Sequence, residues 1–477
     1  MMSEYEVVIG LEIHAELKTK TKVFCGCRNS FGAEPNTNVC PVCIGLPGTL
    51  PIINRRAVEL AIKAGLCFGC DINDVAIFER KNYFYPDLCK AYQISQLQKP
   101  ICLNGGITLD SGKVIRLNRI HLEEDAGKLV HINDNVGTLI DYNRGGVPLI
   151  ETVTEPDINS AEEAVEFLTK LRSNLTFGDI ADCRMEQGGM RCDVNLSVHK
   201  KGEPFGTRTE MKNLNSFKMV YRAIKYEAER QIEVLKSGGV IKQQTRKWDD
   251  NKGRSFIMRS KEEAQDYRYF PDPDILPVTI SRELVEHIRE ELPKLAPERQ
   301  KEYVEKLGLP EYDAKILTQE KSVSDYFEDV LKGFDNPKIV SNWIMTDVLR
   351  KLKEAETEDI NQVISVDNLV DIIKMVETKE ITRVNAKELF EQVCFSDNNA
   401  RKLAKSLGYL STMTDDELIR IIDKVFDDNK QAVPDYKKEP EKVVNFFIGQ
   451  TMRATRGTAK VDIARPLIEA KLKDLTK

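Results

Sequence analysis

Hydrophobic and polar residues alternate along residues 6–16 in the way that a half-buried β-strand requires. The apolar side consists of Val7, Ile9, Leu11 and Ile13. The opposite side presents Gly10, Glu12, His14 and Glu16. Carboxylates and an imidazole in one row suit a metal site, and an exposed polar face with a hydrogen-bonded histidine is the alternative. The alternation of this one segment leaves both interpretations open.

The same one-sided pattern recurs in two further segments, which favours a common binding face. Residues 190–198 place Arg191, Asp193, Asn195 and Ser197 on one side of a predicted strand. Residues 206–213 place Arg208, Glu210 and Lys212 together. Positive and negative groups that alternate in this way suit a site that binds a cation and an anionic substrate, such as a metal–phosphate complex. A surface ladder of ion pairs is the alternative for either strand alone.

Two other segments supply further oxygen ligands. In residues 119–125, His121 and Glu123 share one strand face, and Glu124 lies on the other face unless the strand ends there. Residues 141–151 lead through two glycines to Glu151. Glutamate, aspartate and one histidine form a hard ligand set that is typical of Mg²⁺. The spacing leaves open which two or three of these groups contact the metal.

The pattern changes near residue 290, where short β-like runs give way to helical periodicity. It predicts helices over residues 283–292, 297–307, 323–332, 340–352, 367–376, 385–393, 415–427, 438–448 and 462–473. A capping box, Thr414 to Glu417, opens the seventh of these helices. We therefore divide the chain into residues 1–292, 293–407 and 408–477.

Composition limits the classes of protein that fit this pattern. The 477 residues are too many for one ordinary core, and 41% hydrophobic with 31% charged residues is typical of a soluble globular protein. A net charge of −6 argues against a general polyanion binder, but a local basic patch remains compatible with it. We find no apolar run long enough to span a membrane and no signal-peptide pattern at the N-terminus. The expected location is the cytoplasm.

Eight of the eleven cysteines precede residue 103, and this clustering indicates metal binding better than disulfides. Cys25 and Cys27 form one pair, and Cys40 and Cys43 form a second pair twelve residues later. Two such pairs resemble a structural four-cysteine zinc site, although the first pair is C-x-C rather than C-x-x-C. Cys67 and Cys70 lie in an apolar helical stretch, so they are better explained as packing residues.

Residues 81–87 form a basic and aromatic segment in which Lys81 lies beside Tyr83. Such a loop suits a phosphate and a stacked base or ribose, and a packed aromatic corner is the alternative. Residues 258–271 are similar in kind. The sequence contains neither a phosphate-binding P-loop nor a dinucleotide-binding glycine motif, and a serine-glycine-rich amidase loop is also missing. Any nucleotide would therefore be held by a sheet face and metal ions.

Several long motifs together resemble the B subunits of tRNA-dependent amidotransferases. They are IGLEIHAEL, CPVCIGLPG, KNYFYPDL, YQIS, HLEEDAGK, DYNRGGVPLIE, RCDVN, KNLNSF and DYRYFPDPD. The resemblance extends over essentially the whole chain. It implies an α+β fold: a mixed, mainly antiparallel β cradle of the glutamine synthetase type, then an all-α helical domain and a tail similar to the YqeY-type domain that binds tRNA. Arg453, Arg456 and Lys460 are candidate contacts with the tRNA backbone.

In that family, ATP and Mg²⁺ activate the side-chain carboxylate of Glu-tRNA(Gln) or Asp-tRNA(Asn) as an acyl phosphate, which ammonia then converts to the amide. The resemblance implies that ammonia comes from a partner amidase, the A subunit, and that a small C subunit completes the complex. Matching motifs assign the metal and phosphate site to Glu12, His14, Glu124 and Glu151. Glu123, Asp193 and Glu210 are second choices for that site. Lys81 and Tyr83, with Arg191 and Asp193, are expected near the nucleotide or the aminoacyl end.

Between the neighbours Glu123 and Glu124 we favour Glu124, because strand alternation lets only one of the two face the pocket. Two other functions remain as alternatives: a tRNA-binding adaptor without its own catalysis, and a stand-alone ATP-dependent ligase for a small carboxylate. The presence of Glu12, His14, Glu124 and Glu210 argues against the adaptor. The helical tail argues against a ligase that needs only a small substrate.

Overall fold

Two compact units make up the chain, Met1–Ala296 and Pro297–Lys477. The computed structural model describes residues 4–132, 137–260, 266–355, 359–410, 415–455, 459 and 461–476. Among the described residues, the first unit contains the β-strands and four α-helices, whereas the second is helical. This arrangement confirms the α+β class with helical C-terminal parts. Among the described residues, no helix is long and apolar enough to cross a membrane.

The strands of the first unit are short except for the three that carry most of the site. In chain order they are β1 (Tyr5–Glu16), β2 (Asp71–Ile72), β3 (Val75–Ala76), β4 (Glu79–Asn82), β5 (Tyr92–Ser95), β6 (Cys102–Leu103), β7 (Gly106–Thr108), β8 (Val114–Glu124), β9 (Lys128–Ile132), β10 (Gly137–Asp141), β11 (Pro148–Thr154), β12 (Met190–Lys200), β13 (Thr209–Leu214), β14 (Gln244–Asp249), β15 (Arg254–Ser260), β16 (Phe270–Pro271) and β17 (Val278–Thr279).

Ten of these strands form one large sheet. Its order is β15-β14-β13-β12-β1-β11-β8-β6-β2, and β7 pairs with β8. Strands β13 and β14 pair in parallel, and the other pairs of the sheet are antiparallel. Smaller pairings join β9 to β10, β17 to β3, and β16 and β5 to β4. The sheet is therefore mixed but mainly antiparallel, as predicted.

Four helices accompany this sheet: α1 (Arg55–Cys67), α2 (Ala161–Phe177), α3 (Phe217–Lys236) and α4 (Arg282–Glu290). The apolar sides of the long strands share one core with α1, α2 and α3, so Ile9, Leu11 and Ile13 are almost fully buried. Because the helices cover the apolar face, the polar side chains of the same strands are left on the other face. The strand alternation thus creates both the core and the site.

Helices α2 and α3 were not predicted, although both begin at a recognisable cap. The Ser160 side chain accepts a hydrogen bond from the amide of Glu163, and Ser216 accepts one from Met219. Glu163 also accepts a hydrogen bond from the backbone amide of Asn159. Apart from the helical stretch before Cys67, the sequence of this half predicted strands and turns, and neither α2 nor α3 was among the predicted elements.

The second unit consists of helices α5 (Ala296–Glu305), α6 (Glu311–Leu317), α7 (Lys321–Gly333), α8 (Pro337–Trp343), α9 (Leu349–Glu354), α10 (Ile360–Val363), α11 (Val366–Glu377), α12 (Arg383–Val393), α13 (Ala400–Ser406), α14 (Asp415–Asp428), α15 (Pro440–Ala454) and α16 (Val461–Leu475). The helix predicted over residues 283–292 is α4 of the first unit. The other predicted helices correspond to members of this list, except that 340–352 is interrupted by a π-helical turn, Ile344–Val348. Short helices α6, α10 and α13 were not predicted.

Buried apolar side chains of the second unit form two separate clusters, one within residues 303–404 and one within residues 418–472. The first unit ends four residues after the predicted boundary at 292. The boundary at 407 and the likeness to glutamine synthetase stay predictions. Thr414 of the predicted capping box lies outside the described residues, as do Arg456 and Lys460.

Candidate functional site

The polar face of the large sheet lines a cavity of about 640 Å³. Five neighbouring strands, β13, β12, β1, β11 and β8, contribute side chains to it. The register places Glu12 opposite Asp193, and it places His14 between Arg191 and Glu151. Residues directly opposite one another on paired strands point to the same side of a sheet. The predicted polar faces of residues 6–16, 190–198 and 206–213 therefore meet in one cavity.

His14, Glu123 and Glu151 form the first of two ligand clusters in this cavity. One side-chain ligand atom from each lies within 4.8 Å of the others, and both glutamates are buried. His14 Nε2 is 3.4 Å from Glu123 Oε1 and 3.4 Å from Glu151 Oε2. The buried ring of His121 contacts the same carboxylates, 3.5 Å from Glu123 and 3.3 Å from Glu151. Both carboxylates thus lie between two imidazoles, of which only His14 belongs to the ligand cluster.

The charges of this cluster are strongly coupled. Burial by itself lowers the pKa of His14, but the contacts with Glu123 and Glu151 outweigh it and raise that pKa to about 10. Burial likewise opposes ionisation of Glu123, yet His121 and His14 hold the pKa of this carboxyl well below its usual range. The contacts of this cluster therefore favour ionised carboxylates at Glu123 and Glu151 beside a protonated His14. A divalent cation would replace the His14 proton.

Glu12, Asp193 and Glu210 form the second cluster, again with one ligand atom from each within 4.8 Å of the others. The ammonium of Lys212 lies among them: it donates to Asp193 and is 2.9 Å from Glu210 Oε1. Asn195 Nδ2 donates to Glu12 Oε1 over 2.9 Å. Burial, followed by repulsion from Glu151, raises the pKa of Glu12. This cluster brings together Glu12, Asp193 and Glu210, which sequence reasoning had assigned separately.

Glu124 does not belong to either cluster, so the preference for Glu124 over Glu123 is wrong. Strand β8 continues through Glu124, and its regular alternation directs Glu123 into the cavity and Glu124 to the opposite face. There the Glu124 carboxylate accepts hydrogen bonds from Lys90 Nζ, at 2.5 Å, and from the amide of Ile94, at 2.9 Å. It lines a second, smaller cavity of about 230 Å³ beside the cysteines.

Lys81 and Tyr83 lie on the cavity wall, together with two tyrosines that the sequence analysis did not select. The ammonium of Lys81 is 4.9 Å from the ring centre of Tyr267 and 5.8 Å from that of Tyr83. Burial lowers the pKa of Lys81, but Glu123 and other anionic neighbours raise it overall. Tyr269 completes this wall. Lys81 therefore adds a positive charge that faces the first cluster.

The tyrosine segment is held in place by β4. Strand β16 pairs with β4, and Asn82 donates hydrogen bonds to the carbonyl groups of Tyr267 and Arg268. Phe84, in contrast, is 79% exposed. Residues 81–87 are thus partly a cavity wall and partly a surface loop. The tyrosine-rich motif DYRYF was the available signal for Tyr267 and Tyr269, but its position in space depends on this distant pairing.

Arg191 reaches the end of the cavity where Asp125 lies. Its Nη2 is 2.5 Å from Asp125 Oδ2, and Arg144 Nε is 3.4 Å from the same oxygen. The buried Nε of Arg191 has no hydrogen-bond partner among the described residues. Burial, followed by repulsion from Asp125, raises the pKa of Glu16 to about 7. Asp125 was missed as a site residue, although the HLEED motif contains it.

Cys25, Cys27, Cys40 and Cys43 come together, and their sulfur atoms lie within 4.8 Å of one another. Four thiolates at about 2.3 Å from one zinc ion would be about 3.8 Å apart, so a small contraction makes this donor set fit the metal. The amide of Cys40 donates to Cys43 Sγ over 3.1 Å. A hydrogen bond from Cys25 lowers the pKa of Cys43. These four cysteines could hold a metal ion, whereas Cys67 and Cys70 lie outside the group.

Comparison with known proteins agrees with this geometry. Residues 7–286 match the GatB/GatE catalytic domain model, and residues 325–472 match the GatB domain model. The chain is 48% identical over 479 residues to an aspartyl/glutamyl-tRNA(Asn/Gln) amidotransferase B subunit from Caldicellulosiruptor bescii, covering 99% of this chain and 100% of that relative. It is 47% identical over 473 residues to the B subunit of the same name from Caldanaerobacter subterraneus, covering 98% and 99%. The chain therefore belongs to the family of aspartyl/glutamyl-tRNA(Asn/Gln) amidotransferase B subunits.

Proposed function

We propose that this protein is the subunit that phosphorylates and amidates the aminoacyl group in a glutamine-dependent tRNA amidotransferase. The substrate is the side-chain carboxylate of Glu-tRNA(Gln), Asp-tRNA(Asn) or both. One observation carries the proposal: a single cavity contains two carboxylate-rich clusters and several cationic side chains. A pocket with this mixture of charges suits a metal–nucleotide complex together with an anionic acceptor.

The two clusters are the proposed places for Mg²⁺. His14, Glu123 and Glu151 would hold one ion, and Glu12, Asp193 and Glu210 would hold a second. Bound Mg²⁺ supplies charge neutralisation for phosphoryl transfer. The carboxylate oxygens and the imidazole match the ligands that hard divalent cations accept. The ligand side chains of both clusters are anchored on adjacent strands, which would hold them in fixed positions for the ions.

The cationic side chains of the cavity are the proposed partners of the ATP phosphates. Lys81 lies on one wall, Lys212 lies in the second cluster, and Arg191 lies near Asp125. Tyr83, Tyr267 and Tyr269 offer ring faces on which a base or ribose can stack. With ATP bound, these groups would orient its γ-phosphate toward the acceptor carboxylate, whose oxygen would form the new P–O bond as the bond to ADP breaks.

Ammonia then attacks the acyl carbon of the acyl phosphate, phosphate leaves, and the ammonia nitrogen loses a proton as the amide forms. The proposed source of ammonia is a partner amidase, the A subunit, and the small C subunit is a further proposed partner. The relatives are named as B subunits, which implies a complex of several subunits. Carboxylate activation and ammonia supply would thus reside on different chains.

The four cysteines are the proposed site of a structural Zn²⁺. Their donor set leaves no open position for a reacting water, so the role would be to fix the loops around residues 25–27 and 40–43. The helical parts, residues 293–407 and 408–477, are the proposed tRNA-binding domains. Arg453 is exposed on α15, as such a contact requires.

The amide-forming activity can be measured independently of the amidase reaction, because added ammonia replaces the ammonia that glutamine would supply. The chain, in its complex, is incubated with ATP, Mg²⁺, Glu-tRNA(Gln) or Asp-tRNA(Asn), and ammonium chloride in place of glutamine. We expect ATP-dependent formation of Gln-tRNA(Gln) or Asn-tRNA(Asn). An adaptor without catalysis would bind the tRNA but release no ADP.

Two histidine substitutions distinguish the loss of a site residue from a general effect on the sheet. His14→Ala should remove ATP-dependent amide formation. His199→Ala is the matched control, because His199 is also buried on this sheet but contacts Glu6 at 3.4 Å, outside the cavity. Full activity of the folded His14→Ala variant would contradict the proposed site.

A further inference from the structure

Lys22 is a fully buried lysine beside the four cysteines. Its side chain is 0% exposed, and its Nζ lies 3.7 Å from Cys43 Sγ and 3.2 Å from the carbonyl oxygen of Tyr142. No ion pair joins this ammonium to a carboxylate in the part of the chain that the structure describes. Lys90, in the same small cavity, pairs instead with Glu124.

A buried ammonium is expensive unless a negative group compensates it. A carbonyl oxygen and a neutral thiol supply only partial charges. A thiolate at Cys43 would supply a full negative charge. The hydrogen bond from the Cys40 amide to Cys43 Sγ also favours a negative charge on this sulfur. The environment of Lys22 therefore points to an anionic sulfur group.

The four-cysteine site, in contrast, would carry an excess of negative charge. Four thiolates around one Zn²⁺ carry a net charge of −2, and all four cysteines are only partly accessible to water. One positive charge against the cluster halves this excess. Each partner thus removes part of the cost of burying the other.

We infer that Lys22 is the internal counter-ion of the four-cysteine site and positions that site against the segment 141–147. This inference rests on the structural zinc proposed above. Lys22 makes the connection because its ammonium contacts both Cys43 and the Tyr142 carbonyl. Two residues later, Arg144 donates to the carbonyl groups of Ala126 and Gly127 next to the large cavity.

Metal binding by the purified full chain tests the role of Lys22 directly. The probes are Zn²⁺, competed against a chromophoric chelator, and Co²⁺, whose thiolate charge-transfer bands report four-sulfur coordination. Partners behind metal ligands usually change affinity by about 10- to 100-fold. We expect Lys22→Met to weaken Zn²⁺ binding by about this factor and to accelerate its transfer to the chelator.

Two further variants separate charge from packing. Lys22→Arg keeps the charge and should retain most of the affinity, whereas Lys22→Gln keeps a polar side chain without charge and should behave like Lys22→Met. Lys90→Met is the matched control, because it removes a neighbouring, partly buried lysine that pairs with Glu124 rather than with sulfur. It should leave Zn²⁺ affinity unchanged.

Equal Zn²⁺ affinity in the wild type, Lys22→Met and Lys22→Gln would overturn the inference, and so would a wild-type chain that binds no zinc. If Lys22→Met does not fold, equal affinity of Lys22→Arg and Lys22→Gln has the same meaning. Amide formation is measured separately. A chain that forms the amide but binds no zinc would refute the role of Lys22 and leave the proposed activity standing.

Discussion

The two metal-ligand groups of the first unit differ in how the chain builds them. Nineteen consecutive residues, 25–43, contain all four cysteines. The cavity clusters collect ligands from residues 12 to 210, which lie on five strands. The cysteines form a closed sulfur set, whereas the cavity offers oxygen and imidazole ligands that share space with lysines and arginines. This difference suits a permanent structural ion in one place and exchangeable ions with a substrate in the other.

The sharpest test of the cavity compares two neighbouring residues on β8. Glu123→Gln removes a charged ligand next to His14, and we expect kcat for ATP-dependent phosphorylation to fall about 10³-fold, which corresponds to a loss of about 4 kcal/mol. Glu124 faces the other cavity, so Glu124→Gln should lower the kcat for phosphorylation by less than about tenfold. The measurement is ADP release with ammonium chloride as nitrogen donor. A larger loss in Glu124→Gln would reverse the assignment.

Removal of a cysteine ligand should lower the stability of the protein, whereas removal of a cavity ligand should lower its turnover. Cys43→Ser is expected to abolish stoichiometric zinc and to destabilise the first unit by at least about 4 kcal/mol, because the proposed Zn²⁺ would link the loops around residues 25–27 and 40–43. Thermal unfolding and metal analysis of the same sample check this. Glu123→Gln provides the control, since it should leave zinc content unchanged. Zinc retained by Cys43→Ser would contradict a four-sulfur site.

The pH dependence of Mg²⁺ affinity tests whether His14 of the first cavity cluster is a metal ligand. Its neighbours raise the pKa of His14 to about 10, against an ordinary value of 6.5. A metal must therefore displace a proton below pH 10, and the apparent Mg²⁺ affinity should rise about tenfold per pH unit between pH 7 and 9. Calorimetric titration at several pH values measures the slope. A His14→Gln variant should lose most of it, and an unchanged slope would exclude His14 as the ligand.

The raised pKa of His14 also determines how the stability of the metal-free protein changes with pH. Because the pKa of His14 is higher in the folded state, its protonation stabilises the fold fully below pH 6.5. That contribution is lost as the pH rises through about 10. Metal-free protein should therefore become less stable over the range in which it binds Mg²⁺ more tightly. Unfolding curves with and without Mg²⁺ would show the two trends diverge.

Local patterns in the sequence were sufficient to predict the strand faces and the cysteine group. Alternation alone placed Glu12, His14, Asp193 and Glu210 on polar faces, because each strand has a period of two. The choice between Glu123 and Glu124 failed because it depends on where β8 ends, and that is decided by pairing with β11 rather than by local sequence. Tyr267 joins the site through the pairing of β16 with β4 and through hydrogen bonds from Asn82, which lies far away in the sequence.

The missed helices have a physical reason of their own. Helix α3 carries Glu227 and Gln231 on its buried side, where they bond to Thr209 of β13, so its hydrophobic periodicity is interrupted. Helix α2 has a regular apolar stripe and a serine cap, and both signals were available. Buried polar contacts between a helix and a sheet are long-range features. Their partners become visible only in three dimensions.

The smallest predicted effect concerns the scaffold that both groups share. Ser216 caps α3, and the loss of its hydrogen bond to the Met219 amide in Ser216→Ala should cost about 1 kcal/mol of stability. Because α3 packs on the face of β12 that is turned away from the cavity, Zn²⁺ and Mg²⁺ affinities should stay unchanged. Chemical denaturation and metal titration of the same variant measure both quantities. A coupled loss of Mg²⁺ affinity would mean that the cavity ligands depend on the helix layer as well as on strand register.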